Sequence, residues 1–166
     1  MKTMNTFELV FEILDRRPAL AAPLVIQTIK IDGVEINSNL PIDLPHLVRS
    51  LHFEGEYYIF TCGCGEAGCA GIFEGVHVSF EGDLIKWLVR DPIAKVGYEN
   101  FEDWDADAKT ICYTFNKKAM IDNISVAVDI IKNRANDSME FSPYGFGKKY
   151  LERLDPSKGY EDVYWK

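Results

Sequence analysis

Hydrophobic and polar positions alternate along the first part of the chain, which predicts β-structure there. The alternation in residues 7–14 is loose and is compatible with a strand or with a short helix. Residues 24–31 are rich in β-branched side chains, which favour strands. The dipeptide Asp32-Gly33 is a strong signal for a two-residue hairpin turn, so residues 34–36 are predicted to form the returning strand.

Alternation with a period of two returns in the middle of the chain and predicts an antiparallel meander. Residues 56–61, 72–80 and 84–89 are each predicted as a strand whose successive side chains point to opposite faces of a sheet. The connections between these strands are too short for parallel crossovers, so neighbouring strands are predicted to be antiparallel. Residues 110–115 are predicted to form a further strand.

Two segments place apolar residues at helical spacing behind a capping side chain. Asp43 can cap a short helix that ends near Leu51, and Asn116 can cap a helix over residues 117–134. The long helix carries an apolar stripe that predicts burial in the core. The stripe consists of Met120, Ile124, Ala127, Val128 and Ile131. Together these elements predict an α+β fold in which two helices pack on a mainly antiparallel sheet.

Length and composition fit one soluble domain over residues 1–166. The chain is 47% hydrophobic and 27% charged, and it is long enough to bury a core without help from a metal or a disulfide. Residues 137–166 lack a clear hydrophobic period and contain several prolines and glycines. We therefore expect this end to be an irregular C-terminal wrap or a flexible tail.

The net charge of −8 at pH 7 narrows the expected partners. Nucleic acids and anionic membranes repel an acidic protein, so we expect neither as a partner, whereas a basic protein is favoured. Residues 1–14 lack the basic start and the apolar run of a signal peptide, so we expect a cytoplasmic protein. Thiols stay reduced in that compartment, which argues against a structural disulfide.

Three of the four cysteines lie within residues 61–71, which read T-C-G-C-G-E-A-G-C-A-G. Cys62 and Cys64 are two residues apart and would share a face of an extended strand. The three glycines between Cys62 and Cys69 allow a sharp reversal with positive φ, which would bring Cys69 back towards the other two cysteines. Three sulfurs would then converge, and thiolate is a preferred ligand of zinc.

A tetrahedral zinc site needs a fourth ligand, which this segment does not supply. Cys112 lies on a separate predicted strand and could reach the cluster through the fold, so it is the expected fourth ligand. His77 would lie roughly 26 Å from Cys69 along an extended strand and is a poor candidate. The spacing along the chain does not support His46 or His52 either.

Other interpretations of the cysteine segment remain open: a tight turn with reduced structural cysteines, a disulfide or redox switch, and a catalytic thiol. The sequence places no histidine where it would activate a cysteine nucleophile. The chain also lacks the phosphate-binding, nucleophile-elbow and metalloprotease motifs. We therefore expect a binding protein rather than an enzyme.

Residues 54–90 resemble a group of small bacterial proteins of uncharacterised function. The shared pattern is F-T-C-x-C-G followed by G-C-A-G-I, then a strand, a turn and a tryptophan, which here is Trp87. In size and acidity such proteins are similar to the immunity proteins encoded beside polymorphic toxins. The resemblance implies a toxin-neutralising role and provides no catalytic residues.

An acidic and aromatic segment near position 100 is the predicted contact surface for such a partner. Its members are Tyr98, Glu99, Phe101, Glu102, Asp103, Trp104, Asp105 and Asp107. Aromatic anchors among carboxylates suit a basic protein surface, although a solvated loop whose aromatics contact the core has the same pattern. The expected function is a non-enzymatic acidic binding protein that neutralises a basic toxin domain. The alternative is a metal-binding or redox protein that uses the cysteine segment.

Overall fold

The computed structural model describes residues 3–15, 22–37, 40–72, 74–91, 109–141 and 147–158. This part of the chain has eight strands and three α-helices. The predicted α+β fold class is therefore confirmed. The strands are β1 (Phe7–Leu14), β2 (Leu24–Ile31), β3 (Val34–Glu35), β4 (Gly55–Tyr57), β5 (Val76–Glu81), β6 (Leu84–Asp91), β7 (Lys109–Asn116) and β8 (Glu140–Phe141). The helices are α1 (Leu44–Ser50), α2 (Lys117–Arg134) and α3 (Lys148–Arg153), and a 3₁₀ helix spans Ala67–Ala70. Within the described ranges, no helix has both the length and the apolar character needed to cross a bilayer.

The first sheet is built on the pairing of β1 with β2, which run antiparallel along their whole length. The first segment is therefore a strand and not a helix. The predicted turn at Asp32-Gly33 joins β2 to β3, and both residues have the positive φ that this turn requires, 52° and 78°. The short strands β3 and β8 share the other edge of β2, at its opposite ends.

Asn37 covers the stretch of this β2 edge that lies between β3 and β8. Its side-chain oxygen accepts the backbone N–H of Ile29 at 3.0 Å. Its side-chain nitrogen donates to the carbonyls of Gln27 at 3.1 Å and Leu40 at 2.7 Å. Asn37 is only 1% exposed, so water cannot replace these bonds. The sequence pattern predicts only a loop here, because a single anchoring side chain produces no periodic signal.

We expect Asn37→Ala to lower the free energy of unfolding by about 2 to 4 kcal/mol, because three buried backbone groups lose their partner. Chemical denaturation of the variant and the parent protein measures this loss. The matched control is Asn133→Ala, at an exposed position in the last turn of α2, which should change stability by less than about 0.5 kcal/mol. Equal stabilities of the two variants would contradict the anchoring role of Asn37.

The second sheet has the strand order β4-β5-β6-β7, and every neighbouring pair is antiparallel. This order confirms the predicted meander and its further strand. The strand β4 is shorter than predicted, because the chain after it pairs elsewhere. The Ile59 carbonyl accepts the N–H of Asp43 at 2.8 Å, and the N–H of Thr61 donates to the Pro41 carbonyl at 3.0 Å.

Both predicted helices are present with the predicted caps. The Asp43 carboxylate accepts the N–H of His46 at 3.0 Å, and Asn116 caps α2 in the same way. The predicted stripe of α2 faces the core: Met120, Ile124, Val128 and Ile131 are buried, and Ala127 is half buried. The helix α2 lies against β1, where the Asn123 side chain accepts the N–H of Leu9 at 2.9 Å.

Three aromatic rings connect the two sheets in the core. Phe7 of β1 meets Trp87 of β6 and Phe115 of β7, with ring centroids 5.7 Å and 5.6 Å apart. The Trp87 and Phe115 rings also meet, at 5.4 Å, and all three pairs have edge-to-face geometry. Each ring is almost fully buried. Such pairs add to the stabilisation that comes from burial of the rings alone.

The C-terminal segment contains regular structure that the sequence pattern does not predict. The strand β8 has two residues and runs parallel to the start of β2, and the helix α3 has six residues. Polar contacts hold the end of the described chain: His52 Nε2 lies 2.7 Å from the Pro156 carbonyl, and Lys132 donates to the Leu154 carbonyl at 3.0 Å. Elements this short show no hydrophobic period, so they form through contacts with the rest of the fold.

Candidate metal centre

The cysteine loop, residues 61–71, is fixed at both ends by the core. Before the loop, Phe60 is buried and forms an isolated β-bridge with Ile42. After it, Ile72 is buried, and its N–H donates to the Ala67 carbonyl at 3.1 Å. Both ends of the loop are therefore fixed by contacts that do not depend on any ligand bound within it.

Two turns fold the cysteine loop back on itself. In the first, the N–H of Gly65 donates to the Cys62 carbonyl at 2.9 Å, and Gly65 has a φ of 89°. The second is the 3₁₀ helix, which carries Cys69 and ends at Gly71 with a φ of 74°. Residues with a side chain rarely adopt such positive φ values, so glycine is favoured at these two positions.

The reversal uses a different set of glycines from the predicted one. Among the three glycines between Cys62 and Cys69, only Gly65 has a positive φ, and Gly68 lies inside the 3₁₀ helix. Gly71 supplies the second left-handed residue. The sequence shows where the chain is free to turn, but hydrogen bonds between neighbouring residues select the turn that forms.

The folded loop brings three sulfurs together. The Sγ atoms of Cys62, Cys64 and Cys69 all lie within 4.8 Å of one another. A tetrahedral zinc ion with Zn–S bonds of about 2.3 Å holds its sulfurs roughly 3.8 Å apart. The loop therefore presents three sulfurs near the spacing of a zinc–thiolate centre. Cys62 is half buried, whereas Cys64 and Cys69 are exposed.

Hydrogen bonds within the cluster favour a thiolate at Cys62. The backbone N–H of Cys64 lies 3.3 Å from the Cys62 sulfur and donates to it. Partial burial alone would raise the pKa of Cys62, but hydrogen bonds from Cys64, from the Glu66 backbone and from Cys69 together hold this pKa below its usual value. Hydrogen bonding with Cys64 and the charge of that group, with a smaller contribution from Cys62, raise the pKa of Cys69 to about 11. The metal-free loop therefore holds fewer than three negative charges at neutral pH.

Cys112, the predicted fourth ligand, lies outside this group of three sulfurs. It is an exposed residue of β7, opposite Leu88 of β6, which is also exposed. The pairing register of β6 and β7 thus places Cys112 on the solvent side of the second sheet. Its sulfur lies 4.0 Å from the carbonyl of its neighbour Tyr113.

The three histidines make contacts away from the cysteine loop. His46 Nδ1 accepts the N–H of Tyr58 at 3.2 Å, and His52 contacts the Pro156 carbonyl. His77 Nε2 lies 3.3 Å from a carboxylate oxygen of Glu74. In the part of the chain that the structure describes, no histidine belongs to the group of potential metal ligands.

The predicted partner-binding segment, residues 98–107, lies outside the described residues. Its eight acidic and aromatic residues therefore stay a prediction from the sequence. Comparison of the chain with protein-family models, with curated proteins and with solved structures finds no match. The geometry of the cysteine loop is accordingly the main basis for a functional proposal.

Two features of the site are missed by reasoning from the sequence. One is the N–H donated to the Cys62 sulfur by Cys64, and the other is the bond from Thr61 to Pro41 that fixes the start of the loop. The C-x-C spacing with glycine between the cysteines is the only sequence signal for the first. The second joins distant segments and has no local signal.

Proposed function

We propose that this chain binds a thiophilic metal ion, with zinc as the principal candidate, through Cys62, Cys64 and Cys69. The observation that carries the proposal is the convergence of three sulfurs within 4.8 Å on a loop held by the core at both ends. Ligands that are already gathered lose little conformational freedom when the ion binds, which favours affinity. Thiolate sulfur is the ligand type that selects zinc and related soft ions.

The exposure of the cysteines supports a ligand role over a purely structural one. Free cysteines with a structural role are usually buried, where they behave as small apolar residues. Cys64 and Cys69 are instead exposed, so they contribute little to the core. A chain reversal requires glycines but has no need for sulfur, so metal binding accounts for the three cysteines better than a tight turn does.

Zinc titration in competition with a chromophoric chelator tests this proposal. The full chain, reduced and freed of metal, should bind one zinc ion, and Cys112→Ser should bind one ion with the same affinity. Replacement of all three loop cysteines by serine should abolish this binding while circular dichroism shows the same fold. Equal zinc affinity in the triple variant and the parent protein would overturn the proposal.

The affinity for zinc should rise steeply with pH. A pKa of about 11 keeps the Cys69 thiol protonated at neutral pH, so the ion must displace at least this proton. Each displaced proton makes the apparent affinity about tenfold higher per pH unit, so we expect at least that slope between about pH 6 and pH 8. Competition titrations across this range measure it, and an affinity independent of pH would contradict the assignment.

The left-handed turn at Gly65 gives a second prediction about affinity. We expect Gly65→Ala to weaken zinc binding by up to about 5- to 30-fold, because the metal-free variant relaxes away from the positive φ and must restore it, at a cost of about 1 to 2 kcal/mol, to gather the sulfurs. Gly63→Ala is the matched control, since a methyl group there meets nothing within 4 Å and its φ lies outside the left-handed region. The same competition titration compares both variants, and similar affinities would show that the turn does not gather the sulfurs.

A second candidate function is the neutralisation of a basic toxin domain, which is favoured by the acidic and aromatic composition of residues 98–107. Co-expression of the chain with a basic toxin domain encoded beside it tests this function directly. Complex formation and protection of the host support it, and the absence of both contradicts it. Asp103→Lys with Asp105→Lys should slow association at low salt more than the same change at Asp129 and Asp137, which are exposed elsewhere.

A further inference from the structure

We propose that the metal ion in the cysteine loop keeps one coordination position open, and that this position takes a neutral imidazole-type nitrogen donor from outside the chain. This inference rests on the proposed function, because it concerns the same ion. It goes further by assigning a ligand class to the centre. Structural zinc sites are closed by four protein ligands, whereas sites with three protein ligands exchange the fourth.

The count of nitrogen and sulfur donors supports the open position. All four cysteines and all three histidines lie within the described residues, and only three of these seven side chains come together. His46 and His52 already contact backbone groups, and Cys112 lies on the solvent side of the second sheet. A fourth nitrogen or sulfur ligand would therefore have to come from another molecule.

The exposure of the cluster gives an incoming ligand access to the ion. Cys64 and Cys69 are both exposed, whereas Ala67 and Ala70 of the same loop pack against the core. A ligand can thus reach the ion from the exposed side without displacing any of the buried residues that hold the ends of the loop.

Charge decides which class of ligand fits the open position. Three thiolates around a divalent cation leave a net charge of −1. The loop itself, residues 61–71, contains no lysine or arginine, and its one acidic residue, Glu66, is exposed. An anionic fourth ligand is therefore repelled, while a neutral nitrogen donor is not.

Cobalt substitution tests the proposal, because the visible absorption of Co²⁺ reports its coordination. The full chain loaded with one Co²⁺ is titrated with imidazole and, separately, with azide as an anionic probe of similar size. We expect imidazole to change the Co²⁺ absorption in a saturable way, with one imidazole bound per ion. The azide concentration at half-saturation should be at least about tenfold higher than the imidazole concentration, since like charges repel. Cys112→Ser should give the same titration as the parent protein.

The outcomes distinguish a failure of the open position from a failure of metal binding itself. If Co²⁺ does not bind, both proposals fail. If Co²⁺ binds and imidazole leaves its spectrum unchanged, the site is closed, and only the open position is overturned. Tighter binding of azide than of imidazole overturns the ligand class. A further titration uses a histidine with both termini blocked. If it binds tighter than imidazole, the site favours a histidine residue as donor; if it binds equally, the site recognises only the imidazole ring.

Discussion

Cys69→Ser should weaken zinc binding by the cysteine loop by about a hundred- to a thousandfold. Zinc bound by four protein ligands in small peptides gains about 10 to 16 kcal/mol, so each ligand accounts for roughly 2.5 to 4 kcal/mol. Cys69 is the proposed ligand that the 3₁₀ helix brings close to the other two cysteines. Without its sulfur, only Cys62 and Cys64 remain, two residues apart in one turn. Chelator competition with purified proteins measures the change.

Cys112→Ser is the matched control for this experiment, because it also removes an exposed thiol but lies outside the cluster. Its zinc affinity should stay within about twofold of the parent protein, in keeping with the small effect of surface substitutions remote from a site. The circular dichroism of both variants should match that of the parent protein. A loss of affinity in Cys112→Ser equal to that in Cys69→Ser would show that Cys112 is a ligand after all.

Trp87→Ala should lower the free energy of unfolding by about 3 to 5 kcal/mol, the largest loss of stability that we expect from one core substitution. The indole is fully buried and makes edge-to-face contacts with Phe7 and Phe115, so its removal leaves a cavity between the two sheets. Equilibrium denaturation in urea measures the loss.

Trp87→Phe separates the packing of the ring from its polar group. The indole Nε1 is buried and makes no hydrogen bond within the part of the chain that the structure describes. A phenyl ring keeps most of the contact area and removes an unpaired donor, so we expect a loss of less than about 2 kcal/mol. If Trp87→Phe is as destabilising as Trp87→Ala, the indole nitrogen stabilises the fold through a hydrogen bond.

Most of the regular structure follows from patterns that a single sequence displays. The turn at Asp32-Gly33, the caps Asp43 and Asn116, and the stripe of α2 are each local signals, and the structure confirms them. The alternation places Trp87 on one face of β6, and the structure shows that this residue is buried. What the sequence does not show are the links between distant segments, such as Asn37 on the edge of β2 or the short strand β8.

Three of the four predicted metal-binding cysteines come together in the structure, and Cys112 does not. The spacing of Cys62, Cys64 and Cys69 predicts that the chain can bring them together, and the structure does so. The location of Cys112, the predicted fourth ligand, depends on the pairing register between β6 and β7, which places this residue on the solvent face of the sheet. Register is set by turns and by burial of side chains along both strands, so the spacing of cysteines cannot reveal it.

The zinc content of the full chain, purified in reduced form without an affinity tag, tests the central claim most directly. Elemental analysis should find about one zinc ion per chain in the parent protein and in Cys112→Ser, and almost none in Cys69→Ser, given the loss of affinity expected there. Less than about a tenth of an equivalent of zinc in the parent protein, with no uptake when zinc is added, would contradict a metal centre at the cysteine loop.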